Sequence, residues 1–232
     1  MFCHRCGTQI ADDSQFCTSC GQTIGPGGAL ASPVPVVWNP PAGVHSQTGR
    51  WIGAGWDMVK QDLGTFFFMA LVLSLVSSAL PIILQGPLIA GFHIFCMKKL
   101  LGRQAEFADL FKGFNFFVPT LVASLVITCF VFLGTLAFII PGLVLAAMYK
   151  FTYLFIVDKR MDFWPAMQAS HAVVKQDYFG FTMFLLALIG IDILGALCCV
   201  IGLFVAIPVS IAAITIAYQE IVGLEPRTVD AL

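Results

Sequence analysis

The sequence predicts an all-α integral membrane protein: six transmembrane helices in three hairpins, each preceded by a short amphipathic helix, behind a small N-terminal zinc ribbon. Three observations carry this. The chain is 59% apolar and only 11% charged, with a mean hydropathy of +0.90, which lies outside the range of soluble domains. Its charges fall in clusters separated by long uncharged stretches. Four cysteines stand in two CxxCG pairs within the first 22 residues.

The ribbon occupies residues 1–22. Cys3-x2-Cys6-x10-Cys17-x2-Cys20 gives two clips, each bringing two thiolates to one side of a metal ion. Four thiolates close a tetrahedral structural zinc site with no position left for water. Gly7 and Gly21 follow the clips, where the turn favours a left-handed residue, and Phe2 and Phe16 precede them in equivalent places. So small a core draws its folding energy from the metal. Residues 1–30 hold only Arg5 and His4 against Asp12 and Asp13, and the whole chain has a net charge of −1. A nucleic-acid role would need a basic face, so that partner class is excluded. The metal cysteines sit where an apolar leader would be, so no cleavable signal peptide is expected.

Residues 23–49 form the second segment, with Pro26, Pro33, Pro35, Pro40 and Pro41 among glycines and small residues. Such a composition builds no core and predicts a flexible, partly polyproline tether. Val36, Val37 and Trp38 are its apolar cluster, readable as a lipid-interface contact or as a docking peptide.

Residues 50–224 form the transmembrane domain, followed by a cytoplasmic tail over 225–232. No Asp, Glu, Lys or Arg occurs in the 35 residues from Leu63 to Met97, or in the 37 from Gly113 to Tyr149. The 42 from Tyr178 to Gln219 carry only Asp192. A span needs about 20 residues, so each stretch holds two spans and a tight turn. Turn signals at Gly86-Pro87, Pro141-Gly142 and Gly202 give spans near 64–84, 87–101, 116–139, 142–157, 179–200 and 203–221. The cations, Lys98, Lys99, Lys150, Lys159 and Arg160 among them, then fall at one membrane face, and the hairpin tips carry none. By the positive-inside rule both termini are cytoplasmic, in a bacterial inner membrane. That reducing compartment favours zinc over disulfides. Cys96, Cys129, Cys198 and Cys199 serve as small apolar packing residues.

The tetrapeptide VKQD occurs at 59–62 and 174–177, each time before an aromatic-rich span entry, with a weaker echo around Lys112. This internal repeat predicts three equivalent units around a pseudo-threefold axis, unless so short a match is coincidence. Asp162 is the expected cap of the helix that leads into the third hairpin. Phe66, Phe67, Phe68, Phe114, Phe116 and Phe117 are expected at the lipid interface.

Ile140-Pro141-Gly142, Tyr149, Phe151, Val157-Asp158 and the helix from Ser170 to Lys175 resemble the signature region of the YciC-like six-span bacterial inner-membrane proteins. Similar segments occur in the membrane domain beside some glycerophosphodiester phosphodiesterases. The resemblance covers about residues 50–222 and implies a fold and a location, not a chemistry. The N-terminal segment likewise resembles the short zinc ribbons that front many uncharacterised bacterial proteins, which implies an interaction or structural module.

Within the spans, Asp192 and His93 are the candidate polar site, since an intramembrane carboxylate requires a partner. The bland alternative is a hydrogen-bonded Asp192 and a satisfied core histidine. Lys60, Lys112 and Lys175 are candidate contacts to anionic headgroups, or simply charges that set topology. No catalytic motif occupies a loop, so an enzyme is not expected. The sequence therefore points to a non-catalytic membrane protein whose cytosolic zinc ribbon recruits or regulates a protein partner. The alternative is a small transporter, channel or lipid-handling protein working at Asp192 and His93. Zinc content tests the first part. Elemental analysis of the purified chain should find a single bound zinc ion, and Cys3→Ser or Cys17→Ser should lose it.

Overall fold

The computed structural model describes residues 40–79, 81–198, 201–226 and 228. The four ribbon cysteines and the linker residues 23–39 lie outside the described residues. The chain divides into two compact units, Met1–Asn39 and Pro40–Leu232, and the second is helical, with no strand among its described residues.

The helices come in three groups. The first is α1 (Thr48–Lys60), α2 (Leu63–Ala79) and α3 (Pro81–Leu100). The second is α4 (Asp109–Lys112) with a 3-10 turn (Gly113–Phe116), then α5 (Phe117–Ala137), α6 (Ile139–Met148) and α7 (Thr152–Asp158). The third is α8 (Phe163–Val174), α9 (Tyr178–Leu197) and α10 (Leu203–Ile221). Among the described residues, four stretches are long and apolar enough to cross a membrane: Asp109–Ala137, Ile139–Asp158, α9 and α10. A fifth arises if α1 and α2, bent by 102° at Gln61–Asp62, count as one broken span.

The first hairpin turns elsewhere than the sequence predicts. Gly86 and Pro87 lie inside α3, which runs unbroken from Pro81 to Leu100. A Cβ on Gly86 would come 2.6 Å from the Thr120 carbonyl oxygen, so the glycine serves a close crossing of α3 and α5 instead of a turn. Proline is tolerated in apolar helices because neighbouring helices satisfy the freed carbonyl. In the second hairpin the turn is a single extended residue, Phe138 (φ −160°, ψ 148°), and Pro141 falls within the first turn of α6. Gly202 stands at the N-cap of α10, where the third turn is expected.

The core centres on α10. In its most apolar stretch 67% of residues are buried, against 39% for Ile139–Asp158, 22% for α9 and 17% for Asp109–Ala137, so α10 is the most interior of the candidate spans; the second half of α3 is buried beside it. Its small residues Ala212, Ala213 and Ala217 admit α1 closely: a Cβ on Gly55 would sit 3.0 Å from the Val209 carbonyl oxygen. The helix α1 thus packs on α10 instead of lying free at an interface. Its Trp51 is 1% exposed, stacks on Phe181 and meets Phe184 edge-on. Phe66 also departs from the expected interfacial position. It is fully buried against Phe92 and Phe95, while Phe68 faces outward. The outward apolar side chains at the tip of the second hairpin, Leu136, Phe138, Ile139 and Ile140, suit lipid.

Ion pairs gather at the opposite end of the helices from that tip. Lys98 and Lys112 both hold Asp109 at 2.7 Å, Lys99 reaches Asp62 at 2.9 Å, and Arg50 reaches Glu220 at 2.9 Å. The two VKQD aspartates do related work. Asp62 accepts from the Thr65 hydroxyl at 2.7 Å at the start of α2, and Asp177 caps α9 by accepting from Gly180 N–H at 2.9 Å. Asp162 occupies the N-cap of α8, but its side chain makes no capping bond.

The expected tether over 23–49 ends earlier than the composition predicts. Residues 40–47 belong to the helical unit and lie as a strap across the α8–α9 corner. Gln176 donates to the Pro41 carbonyl at 2.7 Å and accepts from Val44 N–H at 3.2 Å. Ser46 N–H donates to Asp177 Oδ2 at 3.0 Å, and Val44 is buried. The Ser46 bond lowers the Asp177 pKa; burial opposes it, and Gly180 N–H and His45 then add to the lowering, so the carboxyl lies below the usual range. A lowered native pKa makes this contribution complete above the unfolded value of about 4 and removes it as pH falls through the native value. Hydrogen exchange should therefore find the amides of Val44 and Ser46 protected at neutral pH and released in acid below about pH 4. Asp177→Ala should release them at neutral pH; equal protection in that variant would remove the role given to the aspartate.

Candidate intramembrane site

The site begins with a break in a membrane-spanning stretch. Ile139–Asp158 is one candidate span, yet it consists of two helices joined at Tyr149–Phe151. A break inside an apolar bundle strands backbone groups that helix geometry would otherwise pair. Ser170 of α8 mends it. Its hydroxyl donates to the Met148 carbonyl at 2.6 Å and accepts from Phe151 N–H at 3.2 Å, and the residue is fully buried.

Lys150 sits at this break. The sequence counts it with the cations at one membrane face although it falls inside the predicted span 142–157; the structure likewise puts it within the candidate span, eight residues before Asp158, and on the wall of two adjoining cavities.

The first cavity has a volume of about 300 Å³ and lies between α2, α3, α9, α10 and the break. Its polar lining is Ser74, Ser77, Gln85, Lys150, Asp192 and Ser210. Asp192 Oδ1 accepts a bond from the Ser210 hydroxyl at 3.0 Å. Lys150 and Asp192 both line this space, with no direct ion pair between them.

The second cavity, of about 270 Å³, lies on the other side of Lys150 and is lined by His93, Thr128, Tyr149 and Tyr153. His93 is 2% exposed, and its Nδ1 lies 2.8 Å from the Thr215 hydroxyl. The same hydroxyl lies 2.9 Å from the Ile211 carbonyl, and the direction of its bond with His93 is set by the imidazole tautomer. The structure thus does not join His93 to Asp192. Each has its own partner on α10, and Gln85 and Lys150 are the polar residues common to both spaces.

The three candidate headgroup lysines differ. Lys60 is exposed and pairs with Asp57 at 2.6 Å, Lys112 is engaged by Asp109, and Lys175 is exposed beside the strap residue Gln176. A second polar pocket, of about 430 Å³, opens beside the strap, where Trp51 Nε1 donates to Glu220 Oε2 at 2.8 Å.

Fold and site together define a multi-pass helical membrane protein that carries a zinc ribbon. The zinc-ribbon domain family matches residues 2–24, which include Cys3, Cys6, Cys17 and Cys20. Over 134 residues, 58% of this chain, the sequence is 28% identical to an uncharacterized protein of Mycobacterium bovis and to one of Mycobacterium tuberculosis. The alignment covers 41% of each, so the chain spans about two fifths of the length of the curated relatives it matches. No solved structure matches the chain.

Ser170→Ala tests the construction of the break. It leaves the Met148 carbonyl and Phe151 N–H without their partner, at a cost of about 1–3 kcal/mol for a buried polar group. The expected result is a lower melting temperature in detergent, with Ser170→Thr retaining more stability than Ser170→Ala. An unchanged melting temperature in Ser170→Ala would show that the break holds itself.

Proposed function

We propose that this chain is a six-pass protein of a bacterial inner membrane, of the YciC-like group, that binds a small polar ligand inside its helix bundle. The ligand is a solute or a lipid headgroup, and the zinc ribbon is the module through which a cytosolic protein recruits or regulates that activity. The observation that carries the reading is the cavity walled by Lys150, Asp192 and Ser210 within an apolar bundle. Polar residues are costly at such a place and mark a binding or transport path by default. A broken span beside it fits the same reading, since irregular backbone at membrane depth is tolerated where it lines a cavity.

Six passes follow if α2 and α3 cross separately beside the four long candidate spans. The three groups of an entry helix and two following passes fit an internal threefold repeat. Clustered cations at one end support cytoplasmic termini. Zinc has a structural role here, and no catalytic step is assigned to the bundle.

Cysteine labelling tests the reading. Ser74→Cys, on the cavity wall, should react with a membrane-impermeant thiol reagent in intact membranes, and Lys175→Cys serves as the exposed reference, both read peptide by peptide by mass spectrometry. If Lys175→Cys reacts and Ser74→Cys does not, the cavity is closed to solutes and the binding reading fails. Deleting residues 1–39 should leave membrane insertion and Ser74→Cys labelling intact, because the strap and bundle remain.

A further inference from the structure

The cavity at Lys150 also carries information about the charge of its ligand. It holds one cation and one carboxylate on the same wall, with no direct ion pair between them. Asp192 is oriented by Ser210, and Lys150 is positioned by a helix break that Ser170 braces. Both line one small space without pairing directly.

In a low-dielectric interior an unbalanced charge is expensive, whereas a balanced set with short hydrogen bonds is tolerated. The wall is already neutral as a pair. A simple anion entering it would leave an excess negative charge, and a simple cation an excess positive one. A ligand with an anionic oxygen group and an ammonium keeps the count at zero while pairing both wall charges. Ser77 offers a further donor: its hydroxyl oxygen is shielded from solvent and has no hydrogen-bond partner among the protein groups. Gln85, at the boundary of the two cavities, can donate and accept. The volume lies at the lower end of ligand cavities, so a small molecule or a single headgroup fits, and a bulky one does not.

We infer that this cavity binds a net-neutral zwitterion, its anionic oxygens on Lys150 and its ammonium on Asp192, with Ser77 and Gln85 as neutral contacts. The inference rests on the intramembrane-binding reading given above. Two sources share the chemistry, an ethanolamine phospholipid headgroup and a free amino acid.

The test uses the full chain in detergent and isothermal titration with four probes: glycerophosphoethanolamine, alanine, glycerol phosphate and ethanolamine. One of the two zwitterions should bind at least about tenfold more tightly than either probe that carries charge of one sign only, the gain expected of one charge-assisted hydrogen bond. A preference for glycerophosphoethanolamine assigns the headgroup source, and a preference for alanine the amino acid. Lys150→Met and Asp192→Asn should each remove about tenfold or more of that affinity, while Lys150→Arg retains binding. Melting curves confirm that each variant is folded. If glycerol phosphate or ethanolamine binds as tightly as the zwitterions, the inference is overturned and the intramembrane-binding reading stands. If no probe binds although Ser74→Cys is labelled, the inference alone is overturned; if Ser74→Cys is also unlabelled, both fall.

Discussion

A ladder of polar groups on α10 holds the bundle in register. Ser210 bonds Asp192 of α9, Thr215 bonds His93 of α3, Tyr218 bonds Asp158 of α7 at 3.0 Å, and Glu220 bonds Trp51 and Arg50 of α1. In an apolar surrounding every such group must find a partner within the protein, so each bond selects one neighbour at one height. Apolar packing between helices cannot do this alone, because lipid tails are as apolar as leucine. The alanines between these rungs let the neighbours approach closely enough for the bonds to form. The central helix is thus a template, and the other helices are placed by what it offers.

The broken α6–α7 span follows the same constraint by another route. Ser170 supplies at one point the donor and the acceptor that the break withdraws from the backbone. The break then becomes tolerable, and it brings a lysine to a cavity wall where a continuous helix would have less freedom to direct it. Asp192 approaches that space from α9 and is fixed by the α10 ladder. The candidate site is therefore where two structural solutions meet, a mended break and a template rung.

At the charged end, ion pairs and caps tie each helical group to the next. Asp109 takes two lysines, one from α3 and one from α4, and Asp62 ties the α1–α2 corner to the end of α3. Asp158 is buried with Tyr218, Lys159 and Glu225 N–H around it. The related VKQD aspartates diverge in use: Asp62 draws a lysine, and Asp177 draws the strap that enters the bundle from the ribbon side of the sequence. Similar sequence thus gives similar helix starts and different tertiary partners.

The sequence by itself determined the helical class, the clustered charges and the zinc-ribbon cysteines. Each of these rests on local rules: uncharged length, helix propensity and metal-ligand spacing need no knowledge of neighbours. Asp192 was legible as a polar site for the same reason, since a lone carboxylate in 42 apolar residues is costly wherever the helix packs. The tertiary structure decided what could not be local. It gave Asp192 a serine on the next helix, gave His93 a threonine 122 residues away, and put Lys150 on a cavity wall. It also turned Gly86-Pro87 from a hairpin tip into a helix crossing, because a missing Cβ permits a close neighbour as readily as a turn. Spacing along the chain fixes which groups must be satisfied; only packing between helices fixes by whom.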